Sequence, residues 1–161
     1  MMSRKLIWLI LLIALLIRLP SLFKPHIEND EVILQTLTRK VAKNFYLSDY
    51  TLRGEEILAD LPKDLYDTAL FLRPPGFVLV SSLFWRLSNG AVAALMLVPV
   101  LGGLISVGAI YMIGELLEDR AVGLMSSMIL AVEPVLLFST TKFWTDGWLT
   151  GLVTLAIFFF G

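Results

Sequence analysis

The sequence predicts an all-α fold: a polytopic transmembrane helix bundle with an external loop carrying interfacial helices. Three observations point there. Apolar residues fill 57% of the 161 positions and mean hydropathy is +0.80, above the roughly 45–50% apolar usage of soluble domains, so apolar surface must face something other than water. Charges are banded, chiefly between Lys24 and Arg73 and in the short turn from Glu115 to Arg120. Between those bands run blocks of Leu, Ile, Val, Ala, Phe and Gly, the alternation expected of spans and loops. A net charge of −1 offers no basic surface for nucleic acid, and none is expected as a partner. The absence of cysteine excludes a disulfide framework, a thiolate metal site and a cysteine nucleophile, and leaves the redox compartment open.

Leu6 to Phe23 is apolar apart from Arg18, Pro20 and Ser21, close to the roughly 20 residues a spanning helix needs. Arg4 and Lys5 precede it, and the positive-inside rule puts the N-terminus in the cytoplasm. A cleaved signal peptide is the competing reading. Arg18, Leu19 and Pro20 stand where a small-residue cleavage site belongs, which favours a retained helix.

Lys24 to Leu70 holds most of the acids and too few consecutive apolar residues to cross. It reads as an external loop that ends at Arg73. Within it, Val32, Ile33, Leu37 and Val41 fall at helical spacing with Arg39, Lys40 and Lys43 opposite, so Glu31 to Lys43 suits a helix lying at the membrane interface, with Asp30 placed to cap it. Glu55 to Leu65 is a weaker helical stretch, broken by Pro62.

Four apolar blocks follow. Ala91 to Ile113 and Val122 to Phe138 are long enough to span, the latter block reaching residue 140. Pro74 to Leu87 is marginal, and its crossing decides the topology. If it crosses, Asp146 lies on the cytoplasmic side; if it is a half-helix or interfacial segment, Asp146 shares a face with Asp30. Length favours the second arrangement. The last block, over 147–161, stops inside a hydrophobic stretch without a polar anchor, so residues 1–161 read as the N-terminal part of a single longer membrane domain, inactive as this fragment alone. No internal repeat or low-complexity linker stands out.

Chemistry must come from a few polar positions. Glu28, Asn29, Asp30 and Glu31 stand just outside the first span. Acids there stabilise a helix macrodipole by roughly 0.3–1 kcal/mol without further purpose; alternatively a carboxylate held at the interface acts as a general base toward an acceptor hydroxyl or amine. Arg73-Pro74-Pro75-Gly76 stiffens the start of a helix through its prolines. Arg73 either snorkels to headgroups or holds a lipid phosphate through two parallel hydrogen bonds. In Lys142-Phe143-Trp144-Thr145-Asp146, Trp144 and Trp148 suit an interfacial belt. Asp146 is the only acid at the mouth of an uncharged helix, and ionisable groups at membrane depth default to functional hypotheses. His26, the only histidine, reads as a solvated loop residue without companions for zinc. Gly102, Gly103 and Gly108 lie inside a span, where small residues let helices approach. Nucleophilic triads, phosphate-cradling loops and dinucleotide fingerprints are absent.

In order and spacing these features resemble the polytopic glycosyltransferases of the GT-C fold, in particular the group that includes protein O-mannosyltransferases and the aminoarabinose transferases acting on lipid A. The resemblance rests on Asp30-Glu31 opening the external loop, Arg73-Pro74-Pro75-Gly76-Phe77, Gly123 in a short interhelical turn, Glu133-Pro134, and Lys142 followed by Asp146. It implies a sugar moved from a polyprenyl-phosphate donor to a glycan, lipid or protein acceptor, by base-assisted inverting displacement at the external face of a membrane, a bacterial plasma membrane by expectation. It implies Asp30 as catalytic base, with Glu31 and Asp146 as catalytic companions; charge and placement assign Arg73 and Lys142 to the donor phosphate. Some relatives carry a metal-binding Glu two positions before the Pro-Pro pair; here that position is Leu72, flanked by Phe71 and Arg73, and no metal or other cofactor is expected. A flippase or transporter subunit for a lipid-linked sugar, with Asp30, Arg73 and Asp146 lining a path, and a non-enzymatic membrane assembly protein are the rival readings.

Overall fold

The computed structural model describes residues 3–23, 29–44 and 75–161. His26, Arg73 and the expected helix over Glu55 to Leu65 lie outside them. Seven helices are described: α1 (Ser3–Phe23), α2 (Asn29–Asn44), α3 (Pro75–Leu87), α4 (Val92–Leu117), α5 (Arg120–Val132), α6 (Pro134–Thr141) and α7 (Thr145–Phe160), with no strand among the described residues. The all-α membrane helical fold expected from composition is the fold found.

The 21 residues of α1 extend roughly 32 Å at about 1.5 Å per residue, the thickness of a hydrocarbon core. Ile10, Ala14 and Arg18, four residues apart, form its buried stripe, while Trp8, Leu9, Leu12, Ile13, Leu16 and Ile17 are exposed. Such large apolar side chains turned outward on one helix are what lipid contact requires. The 26-residue α4 is the hub: 61% of its most apolar window is buried, against 17% for α1. Both are long and apolar enough to cross a membrane.

Helices α1 and α4 run antiparallel. Leu22, near the end of α1, packs against a cluster containing Leu95, Met96 and Val98 from the start of α4. Further back along α1, Ile10 and Ala14 share a second cluster with Val107. The chain therefore re-enters through α4 from the end at which it left α1. The 13 described residues of α3 extend about 20 Å, less than the roughly 30 Å of a hydrocarbon core. Both α2 and α3 belong to that same end: Leu34, Leu37 and Val41 of α2 and Phe77 and Val78 of α3 are buried in the first cluster, together with Phe143. Thus α2 forms as its apolar spacing predicts. Asp30 falls in its first turn instead of before it, a shift of the size by which helix ends are soft.

Small residues set the helix contacts. A Cβ on Gly114 would lie 2.7 Å from Gly123 Cα, and one on Gly123 would lie 2.6 Å from the Tyr111 carbonyl oxygen, so α4 and α5 touch backbone to backbone around their connecting turn. Asp119 starts α5 by accepting from Val122 N at 2.8 Å. Gly102 of α4 faces Gly147 and Gly151 of α7; a Cβ on Gly151 would meet the Gly102 carbonyl at 2.5 Å. Gly108, expected to share this role, has open space where a methyl would stand, with nothing within 4 Å, and takes no part.

The sequence predicts one helix over 122–140; the structure has two, bent by 55°. Pro134 lacks an N–H and restricts the residue before it. Glu133 accordingly turns extended (φ −61°, ψ 123°), ends α5, and caps α6 by accepting from Leu136 N at 2.5 Å.

Candidate active site

The most constrained polar group among the described residues is Arg18, which the sequence presents only as an interruption of the first span. It is fully buried. Its Nε donates to Thr140 Oγ1 at 2.8 Å, and one terminal nitrogen donates to the Ala14 carbonyl at 2.9 Å and the Ala131 carbonyl at 3.2 Å. The other terminal nitrogen, equally buried, has no hydrogen-bond partner. Ala131 lies at the end of α5, where the bend leaves carbonyls without the donors a continued helix supplies. Thr140 is at the end of α6 and itself donates to the Leu136 carbonyl at 2.6 Å. One guanidinium therefore ties α1 to both arms of the broken helix. Gly103 makes the space: a Cβ there would sit 2.9 Å from Arg18 Nε and 2.8 Å from Thr140 Cγ2. A signal was present in the sequence, since an arginine inside a spanning segment is rare and turns toward the bundle interior.

Two residues beyond Thr140 the chain reaches Lys142, the residue that ends α6. Its Nζ lies 4.3 Å from the Phe138 ring centroid and 5.0 Å from that of Trp144, an aromatic seat that holds an ammonium through ring quadrupoles. Phe138 and Trp144 meet edge to face at 5.2 Å. The indole N–H of Trp144 is buried without an acceptor, so this turn carries a cation and an unused donor. Trp148, expected in an interfacial belt, packs partly against the first cluster. Asp146 is exposed in the first turn of α7, and its carbonyl accepts from Thr150 Oγ1 at 2.7 Å.

Phe143 couples this turn to the rest of that end. It is fully buried, and its ring lies 5.0 Å from Phe77, two residues past the Pro74-Pro75 pair. The packing thus brings together the helix whose first turn contains Asp30 and Glu31, the helix that Pro75 begins, and the segment Lys142 to Asp146. The side chains of Asp30 and Glu31, and all of Arg73, fall outside what is described. Among the described residues no group of three His, Cys, Asp or Glu is placed to hold a metal ion.

Comparison with known proteins gives one family. A profile described as dolichyl-phosphate-mannose-protein mannosyltransferase matches residues 72–161, more than half of the chain, from the Pro-Pro pair through α7. No curated protein and no solved structure matches. With its helical membrane architecture, its Pro-Pro helix and its Lys142–Asp146 turn inside the matched region, the chain belongs to the dolichyl-phosphate-mannose-protein mannosyltransferase family, membrane glycosyltransferases of the GT-C type.

Proposed function

We propose that this protein transfers a sugar from a polyprenyl-phosphate donor to an acceptor hydroxyl at the external face of the membrane, with Asp30 as general base. One observation carries the reading: α2, α3 and Phe143 share one buried cluster at the α1–α4 end of the bundle. That packing supports a common face for Asp30, the Pro-Pro helix and the Lys142–Asp146 turn. Asp30 takes the acceptor proton as the acceptor oxygen bonds to the anomeric carbon. The carbon–oxygen bond to the phosphate breaks, the electron pair leaves with the phosphate, and the configuration inverts. Attack aided by a positioned carboxylate contributes on the order of 10²–10⁴ in rate.

Lys142 and Arg73 offset the charge that grows on the leaving phosphate, while Glu31 and Asp146 orient the acceptor and the sugar. Confinement of the lysine between two rings supports this role, because an ammonium already positioned needs little reorganisation. The N-terminus lies in the cytoplasm and the stretch 24–73 outside a plasma membrane. In the full-length protein, Asp30→Asn is expected to lower transfer from a polyprenyl-phosphate sugar by at least roughly 10²-fold while leaving expression and the unfolding midpoint unchanged. Transfer at the wild-type rate by that variant removes Asp30 from the role.

A further inference from the structure

Away from the proposed catalytic turn, α2 and the end of α3 enclose an open cavity of about 450 Å³ lined by Arg39, Ala42, Trp85, Arg86, Asn89 and Gly90. Its size is in the range that small-ligand sites occupy. Among the described residues no carboxylate lines it, and neither arginine forms an ion pair. The Arg39 guanidinium carbon lies 4.8 Å from the Trp85 ring centroid. Stacking of that kind restrains the guanidinium by its face and leaves its N–H edges available for a bidentate acceptor.

The floor of the cavity is a turn built for this shape. Asn89 (φ 53°) and Gly90 (φ 89°) are both left-handed, and Gly90 N donates to the Trp85 carbonyl at 2.9 Å. A Cβ on Gly90 would lie 3.3 Å from the Trp85 indole, so glycine lets the chain reverse while the ring stays beneath Arg39. Next to Arg86 along α3, Leu83 and Leu87 are 45% and 74% exposed. Cationic edges with bare leucines alongside match one kind of occupant, a phosphate headgroup with its acyl chains continuing over the leucines.

The geometry points to a seat for an anionic phospholipid: Arg39 and Arg86 bind the phosphate, Trp85 braces Arg39, and Leu83 and Leu87 meet the chains. This fixes how α2 and α3 rest on the membrane surface and is independent of the glycosyl transfer assigned above.

The test is native mass spectrometry of the full-length protein released from nanodiscs of phosphatidylglycerol mixed with phosphatidylcholine, with an unfolding midpoint for every variant. The wild type is expected to retain phosphatidylglycerol selectively. Arg39→Gln with Arg86→Gln is expected to weaken that retention by roughly 25-fold, each basic group near an anionic surface contributing roughly fivefold, with the midpoint unchanged because both side chains are exposed. Arg120→Gln, at the opposite end of α4, leaves retention intact. Equal retention by the double variant, or an equal loss in Arg120→Gln, overturns the proposal. So does displacement of the lipid from the wild type by inorganic phosphate, which reassigns the cavity to a soluble anion.

Discussion

Replacing Arg18 by methionine and Thr140 by valine, singly and together, tests whether the buried guanidinium latches the broken helix. Arg18→Met removes two hydrogen bonds that cross between helices, to Thr140 Oγ1 and to the Ala131 carbonyl. At roughly 0.6–1.7 kcal/mol for each such contact in a membrane, their loss costs about 1–3 kcal/mol. Against this, the variant no longer holds a charge in an apolar interior, which returns at most about 2.5–3.5 kcal/mol at the centre of a span and less here, five residues from the end of α1. The two effects nearly cancel, so the single variant is expected to unfold within about 2 kcal/mol of the wild type. The cycle separates them. Thr140→Val destabilises the wild type but has little further effect once Arg18 is gone, leaving a coupling of about 0.6–1.7 kcal/mol. Denaturant titration of the purified protein in mixed micelles reads it. Additive changes, with a coupling within a few tenths of a kcal/mol of zero, refute the latch. A folded Arg18→Met protein is also expected to lose glycosyl transfer, because the bend that positions Lys142 is no longer held from α1.

Three further outcomes follow from the geometry. Gly102→Ala places a methyl against the backbone of Gly147 and Trp148 and is expected to destabilise by about 1–3 kcal/mol, as overpacking does; Gly108→Ala, with open space around it, is expected to be neutral or stabilising in the same titration. Glu133→Ala removes the carboxylate that caps α6 and is expected to cost roughly 1 kcal/mol of stability, again read from the unfolding midpoint. Lys142→Met keeps an apolar stem between Phe138 and Trp144 but removes the cation; transfer is expected to fall by at least tenfold, about 1.4 kcal/mol of transition-state stabilisation, with the fold retained, and unchanged turnover rules out a phosphate role.

What could be read from the chain and what could not divide by the distance over which each fact is decided. Span existence depends on local composition, so α1 and α4 were legible, as was the apolar face of α2 at Leu37 and Val41. The shortness of α3 is legible too, and length alone favours the non-crossing arrangement. The break at Glu133 was missed although Pro134 marked it, because an apolar run of spanning length outweighed one proline. Arg18 was missed for a different reason: its main partner is 122 positions away, and a helical pattern can say that a residue faces inward without saying what it meets. The proposed site positions are mixed. Lys142 and Asp146 were picked out by charge in an apolar context, yet the aromatic seat of Lys142 and the unpaired Trp144 indole needed the folded turn to be seen.

The return of the chain to the end it left has a consequence for how the protein is made. In an arrangement where α1 and α4 cross in opposite senses, α3 has to pass the insertion machinery without being retained as a crossing. Its 13 residues include Ser81 and Ser82, both fully buried against protein, and hydroxyls placed there lower the tendency of a short apolar stretch to partition sideways into lipid. The same serines that fill the contact in the finished molecule also lower the fitness of α3 as a crossing segment. Exchanging them for leucine would challenge the topology before it challenged the packing.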